Sequence, residues 1–308
     1  RVFSSQPQDY VALRTKLIDV IDTACALGES ILWDARTNLI WLTDILGGRM
    51  ISYDSVRKRL RDYPTPEPLC AFGLTDRPGV FVSAFSTGFA LFQPETGKVE
   101  WIARPDEVQD GRLRLNDGRV DNQGRFWCGS MVLAPEQGPD AKGSLYSLSS
   151  SGHVSIHENG VGISNGLCWS PSSDRMYFAD SSCGTIFSYR FDAPSGCISD
   201  KALFATTAEN SAPDGAIVDS DGCVWSAQWG RSRVIRYAPT GEVDYSFDAP
   251  TSQPTCPTFG GPYLFHLFVS SARVGLEGKV NEDRAGSVFV YETEVSGFPN
   301  PQFNISRN

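Results

Sequence analysis

The amino-acid sequence predicts an all-β fold, a six-bladed β-propeller, and three observations carry that expectation. Long helical periodicity is nearly absent. Short runs rich in Val, Ile, Phe, Tyr and Trp, bounded by Gly, Asp, Asn and Ser, fill the 308 residues instead. These runs recur as units. With Trp33, Leu74, Val120, Trp169, Val218 and Phe259 as markers, the spacings are 41, 46, 49, 49 and 41 residues, the period of a propeller blade.

The units read alike from first to last. The first has Ile31-Leu-Trp-Asp34, a polar turn, Leu39-Ile-Trp-Leu-Thr-Asp44 and then Gly48-Arg-Met-Ile-Ser-Tyr53. Weaker units start near Gly73-Leu-Thr-Asp76 and at Arg119-Val-Asp121. The fourth has Leu167-Cys-Trp-Ser170, a turn at Ser172-Ser-Asp174, Met176-Tyr-Phe-Ala-Asp180 and Gly184-Thr-Ile-Phe-Ser-Tyr189. The fifth has Ala216-Ile-Val-Asp219, a turn at Asp221-Gly222, Val224-Trp-Ser-Ala227 and Arg233-Val-Ile-Arg-Tyr237, and the sixth starts near Thr258-Phe-Gly-Gly261. Each is strand, tight turn, strand, loop, strand, with a fourth strand following, and a blade of that kind cannot bury both faces alone. Residues 1–308 are therefore expected to form one domain, with 1–13 an irregular N-terminal extension. The run Lys16-Leu-Ile-Asp-Val-Ile21 is expected to pair with Ser287-Val-Phe-Val-Tyr291 of the last blade, closing the ring and removing two exposed edges.

Composition bounds the function. The net charge of −9 argues against nucleic acid, and the longest basic run is Arg57-Lys58-Arg59, a solvated turn. No stretch of apolar residues is long enough to span a membrane, and Arg1 to Asp9 lacks the apolar run of a signal peptide. The eight cysteines form no Cys-x-x-Cys pair. Several sit in apolar strand-like runs, so they are expected to be mostly reduced and the protein cytoplasmic.

Four stretches are odd for plain turns: Leu27-Gly-Glu29-Ser30, Arg114-Leu-Asn116-Asp117-Gly-Arg119-Val-Asp121, Ile163-Ser-Asn165-Gly166 and Ala212-Pro-Asp214-Gly215. Each taken alone has a sufficient local explanation, because Asn-Gly and Asp-Gly are common turn dipeptides. Glu29, Asn165 and Asp214, however, stand at equivalent places just ahead of apolar strands in different units, and a propeller brings such places together around its axis. Two carboxylates and an amide converging there call for a cation, and all-oxygen ligation suits Ca²⁺, Mg²⁺ or Mn²⁺. His153, His157 and His266 fall outside these stretches and read as strand-surface residues, which disfavours a His-rich zinc site.

Six motifs in order resemble the gluconolactonase family that includes regucalcin (senescence marker protein) and luciferin-regenerating enzyme. They are Leu27-Gly-Glu-Ser-Ile-Leu-Trp-Asp34, Trp41-Leu-Thr-Asp-Ile-Leu-Gly-Gly48, Asn116-Asp-Gly-Arg-Val-Asp121 with Gly124-Arg-Phe-Trp127, Ser164-Asn-Gly-Leu167, Pro213-Asp-Gly215, and Thr258-Phe-Gly-Gly261 with Ser271-Ala-Arg273. The resemblance implies a six-bladed propeller hydrolysing a sugar lactone with one divalent cation, Ca²⁺, Mg²⁺, Mn²⁺, Zn²⁺ or Fe²⁺. The family's ligands map onto Glu29, Asn165 and Asp214, and its substrate-binding residues onto Arg114, Asn116 and Asp117, the last beside the metal. Regucalcin-like members use an acid shortly after the Gly-x-Met segment, where this chain has Ala134 with Glu136 displaced. That departure bears on which lactone is taken.

On this reading the partner is a small sugar lactone, an aldonolactone such as a glucono- or pentonolactone. Asp214 serves as ligand and general base, and Arg114 and Asn116 orient the ring. Two alternatives stay open: another metal-dependent propeller hydrolase of phosphotriesterase or arylesterase type, and a propeller that binds a metal or ligand without catalysis.

Overall fold

The computed structural model describes residues 14–134 and 141–305, which leaves the expected 1–13 extension and Glu136 outside the described residues. The expected six blades are present as six sheets, each built on four antiparallel strands. After β1 (Thr15–Ile21) the first blade follows as β2 (Gly28–Asp34), β3 (Leu39–Asp44), β4 (Arg49–Asp54) and β5 (Arg59–Pro64). The second is β6 (Leu69–Thr75), β7 (Phe81–Phe85), β8 (Gly88–Gln93) and β9 (Lys98–Ala103), and the third β10 (Leu113–Val120), β11 (Phe126–Val132), β12 (Gly143–Leu148) and β13 (Val154–Val161). The fourth is β14 (Ser164–Trp169), β15 (Arg175–Asp180), β16 (Thr185–Asp192) and β17 (Cys197–Thr206), and the fifth β18 (Ala212–Val218), β19 (Val224–Trp229), β20 (Arg233–Tyr237) and β21 (Val243–Asp248). The sixth holds β22 (Pro254–Gly260), β23 (His266–Ser271) and β24 (Val288–Thr293), and its outermost strand is β1, with Lys16 opposite Glu292 and Ile21 opposite Val288.

What joins the blades is apolar. Each of six buried clusters lies between two neighbouring blades. Leu32, Trp41 and Met50 of the first, for example, pack on Phe72, Leu74 and Phe81 of the second, and Ile31, Trp33 and Ile40 pack on Phe268, Val288 and Val290 of the sixth. Each blade therefore gains its hydrophobic stabilisation only with both neighbours in place. A repeated polar device ties the far end of two blades: the indole N–H of Trp127 donates to Asp121 (2.9 Å) and that of Trp225 to Asp219 (2.7 Å). Asp121 is thus structural, at the end of β10 away from the acids discussed below. The chain ends on β25 (Gln302–Phe303), which runs parallel to β6 at Leu74 and Thr75 and buries Phe303 and Ile305 between the second and third blades. No turn signal announces this strap.

All eight cysteines are free thiols, with only Cys183 and Cys197 exposed. Among the described residues no helix is long and apolar enough to cross a membrane.

Candidate active site

The inner strands β2, β6, β10, β14, β18 and β22 line the axis, and neighbours meet start to start. Thr255 Oγ1 of β22 donates to the Gly28 carbonyl of β2, and Asn116 Nδ2 of β10 donates to the Ser164 carbonyl of β14 (2.8 Å). The sequence places Glu29, Asn165 and Asp214 just ahead of apolar strands. In the structure all three lie inside the inner strands themselves, at β-bulges. The ladder slips between Glu29 and Leu32, between Leu115 and Gly118, between Asn165 and Cys168, and between Pro213 and Ala216. A bulge leaves residues unpaired and re-aims their side chains, here toward the axis.

The register also refines the expected equivalence. Glu29 and Asn165 are each the last paired residue before the slip. Asp214 is the first residue within it, in the place that Asn116 takes in the third blade. The residue after the ligand candidate explains the dipeptides. Gly166 has φ +64°, in the left-handed region. A Cβ on Gly215 would stand 2.7 Å from Cys256 Sγ, so no larger residue fits there.

Hydrogen bonds hold the polar groups in order. Arg114 Nη1 donates to Asn116 Oδ1 (2.7 Å) and to the Leu115 carbonyl (2.9 Å). Asn116 Nδ2 donates to Asn165 Oδ1 (3.2 Å) as well as to Ser164. Asn165 Nδ2 donates to Ser181 Oγ (2.8 Å), which donates to the Pro213 carbonyl (2.5 Å). The amide of Asn165 is thereby oriented with its nitrogen toward Ser181 and its oxygen toward Asn116. Arg114, Asn116, Asp117, Asn165 and Asp214 are buried, and Glu29 is half-buried.

The electrostatics are those of a crowded acid cluster. Burial, then the neighbouring Asp214 and Asp117, push the Glu29 carboxyl well above its usual range, against the opposing pull of Arg114. Burial and Asp117 push Asp214 the same way, with the Gly215 N–H, Glu29 and Arg114 opposing. Asp117 is raised by burial, while Arg119 and the backbone N–H groups of Leu167, Gly118 and Gly166 oppose that. Three buried carboxyls thus face two guanidinium groups, Arg114 and Arg119, and the excess negative charge is what a bound divalent cation would relieve. Among the described residues no three His, Cys, Asp or Glu side chains form a metal cage of their own. Glu29, Asp214 and the amide oxygen of Asn165 are the oxygen donors here that could hold such an ion. The histidines lie elsewhere. His157 is half-buried rather than on the strand surface, with its ring 4.2 Å from that of Trp127.

Two further acids position the candidate ligands. Asp44, at the end of β3, accepts from Ala26 N (3.2 Å) and Leu27 N (3.0 Å), just ahead of Glu29. Asp180, at the end of β15, accepts from Gly162 N (2.9 Å) and Ile163 N (3.0 Å), just ahead of Asn165. Their signal in the sequence is the matched ending of Trp-Leu-Thr-Asp44 and Tyr-Phe-Ala-Asp180, which reads as ordinary strand termination. Ala134 is half-buried after β11.

Comparison with known proteins bears on the family and the fold. The family model of the SMP-30/Gluconolactonase/LRE-like region matches residues 27–273. The chain is similar to an L-arabinolactonase of Azospirillum brasilense, at 35% identity over 92% of this chain and 93% of that protein. It is similar to a pentonolactonase of Haloferax volcanii, at 32% identity over 91% and 95%. Among solved structures it resembles regucalcin of Agrobacterium tumefaciens, described as a calcium-binding protein, with a TM-score of 0.86 and 27% identity over 93% of this chain and 97% of that one.

Proposed function

The chain belongs to the SMP-30/gluconolactonase/LRE-like family, and from that premise we propose that it is a metal-dependent lactonase that opens an aldonolactone to the aldonic acid. The reading is supported by the buried, mutually interacting Glu29 and Asp214 carboxyls and by the hydrogen-bonded chain from Arg114 through Asn116 to the Asn165 amide oxygen. Relatives named as an arabinolactonase and a pentonolactonase support the substrate class.

Glu29, Asn165 and Asp214 would hold the ion. When bound, a divalent cation supplies Lewis acidity at the ester carbonyl and neutralises developing negative charge. The chain's own residues do the rest. Asp214, buried on its bulge, takes a proton from the attacking water as the water oxygen bonds to the carbonyl carbon. The bond between the carbonyl carbon and the ring oxygen then breaks, and Asp214 delivers the proton it took to that oxygen, which leaves as a hydroxyl. Arg114, braced by Asn116 and the Leu115 carbonyl, binds substrate oxygens and sets the ring's orientation. Asn116 links Arg114 to Asn165, so substrate holding and ion holding share one hydrogen-bonded chain. Asp117, held by the Leu167 N–H (3.3 Å), adds negative charge behind Asp214.

A panel of pentono- and hexonolactones, assayed for acid release before chelation, after it and after re-addition of Ca²⁺, Mg²⁺, Mn²⁺ or Zn²⁺, tests the proposal. The expected result is loss of turnover on chelation and recovery with at least one ion. Turnover that survives exhaustive chelation would refute the metal; no turnover of any lactone would refute the lactonase.

A further inference from the structure

Beside Arg114 the same face holds a cavity of about 320 Å³. Its wall is formed by Ile45 and Leu46 from the turn after β3, Pro68 before β6, Val108 and Leu113 around the start of β10, and Leu133 after β11. The polar side chains in the wall are turned to one another. Ser86 Oγ donates to Glu67 Oε2 (2.5 Å), Thr87 Oγ1 donates to Glu67 Oε1 (3.0 Å), and Gln109 Nε2 donates to the Thr87 carbonyl (2.7 Å). The surface offered to a guest is therefore carbon, with the Arg114 guanidinium as the polar group at its inner side. Leu46 and Leu133 are 57% and 47% exposed, large apolar side chains at the cavity's rim that no other described residue covers.

A hydroxylated carbon entering this cavity would leave its water and find few partners, which costs free energy. A methyl or deoxygenated carbon would gain by the same burial. The chain also has Ala134 next to Leu133, half-buried. That residue brings no charge or hydrogen-bonding side chain to this rim.

We propose that this cavity receives the exocyclic end of the substrate, and that the favoured substrates are sugar lactones whose exocyclic end is deoxygenated or alkylated. The inference rests on the lactonase reading and specifies its substrate class: Arg114 engages the oxygens of the ring, while the carbon end lies against Leu46 and Leu133.

Matched pairs of lactones isolate the effect, because their members differ by one hydroxyl: D-fucono-1,4-lactone against D-galactono-1,4-lactone, and L-rhamnono-1,4-lactone against L-mannono-1,4-lactone. The metal-loaded full chain is expected to favour the deoxy member of at least one pair by about tenfold or more in kcat/KM, within the limit to which an apolar pocket rejects an added hydroxyl. Leu133→Asn, and separately Leu46→Asn, should collapse that ratio toward unity; both positions are solvent-facing, and an unchanged Tm would verify the fold. Equal or better turnover of the hydroxylated members, or a deoxy preference unchanged in both variants, overturns the pocket assignment while leaving the lactonase reading standing. Failure to open any of the four lactones, together with failure on pentonolactones, overturns both.

Discussion

At the scale of single residues, the site is an arrangement of like charges held at short range, and each member's share can be separated. Asp214 is assigned two tasks, ion ligand and proton acceptor, which one substitution divides. Asp214→Asn keeps an oxygen of nearly the same shape but removes the base. We expect kcat to fall by about 10²-fold or more, with no recovery at saturating metal. Full recovery with excess metal would make Asp214 a ligand only and turn attention to Asp117, buried beside it and raised by that burial. Arg114 has a different signature. Its guanidinium is tied to Asn116 and the Leu115 carbonyl, and its assigned work is on substrate oxygens. Arg114→Ala should therefore raise KM more than it weakens metal binding. Loss of the metal with KM intact would mark Arg114 as part of the scaffold.

At the scale of strands, function depends on interruptions of the ladder. The candidate ligands were legible in the sequence as Gly-Glu29, Ser-Asn165-Gly and Pro-Asp214-Gly, because those residue types are conspicuous ahead of apolar runs. Their true setting was not. A bulge exists only in relation to the partner strand, here β3, β15 and β19, and nothing local to Asn165-Gly166 separates a bulge from a turn. The same limit hid the clamps. Asp180 gathers the N–H groups of Gly162, Ile163 and Ser182, and Asp180→Ala would leave several donors without their acceptor, at a cost of about 1–3 kcal/mol each where water cannot replace it. The variant should melt earlier and bind the cation more weakly through displacement of Asn165; unchanged metal affinity would show that the segment holds its position without the clamp.

The third blade supplies a separate check on the packing. Burial first, and Arg125 second, hold His157 below the usual imidazole value. Its ring lies on Trp127 and its Nε2 meets Ser147 Oγ at 2.7 Å. The unfolded chain thus binds the proton more readily than the folded one. The stability His157 contributes is complete above about pH 6.5 and declines as pH falls toward its folded value. Wild type minus His157→Gln, measured as unfolding free energy, should shrink between pH 7.5 and pH 5. A constant difference would place His157 in solvent.

At the scale of the whole molecule, blade number and order were legible because the blade period and its apolar runs are local features repeated in sequence. The strap at β25 was not, since Gln302-Phe303 carries no strand pattern of its own and is defined by its pairing with β6. Nor was the cavity beside Arg114, whose wall draws on turns of three blades. The ring has a consequence for ligand binding. Glu29 belongs to the first blade, Asn165 to the fourth and Asp214 to the fifth, so a cation held by all three exists only in the closed ring. Such an ion binds the folded state and stabilises it by about 2.7 kcal/mol at a hundredfold excess over Kd. The most direct measurement is therefore to titrate metal-stripped wild type and Glu29→Gln with one activating cation, following Tm and lactone turnover in parallel. The account predicts that Tm and turnover rise together in wild type, and that in Glu29→Gln both require far more metal. A Glu29→Gln curve that overlays wild type, or turnover in wild type that is complete before any metal is added back, would contradict it.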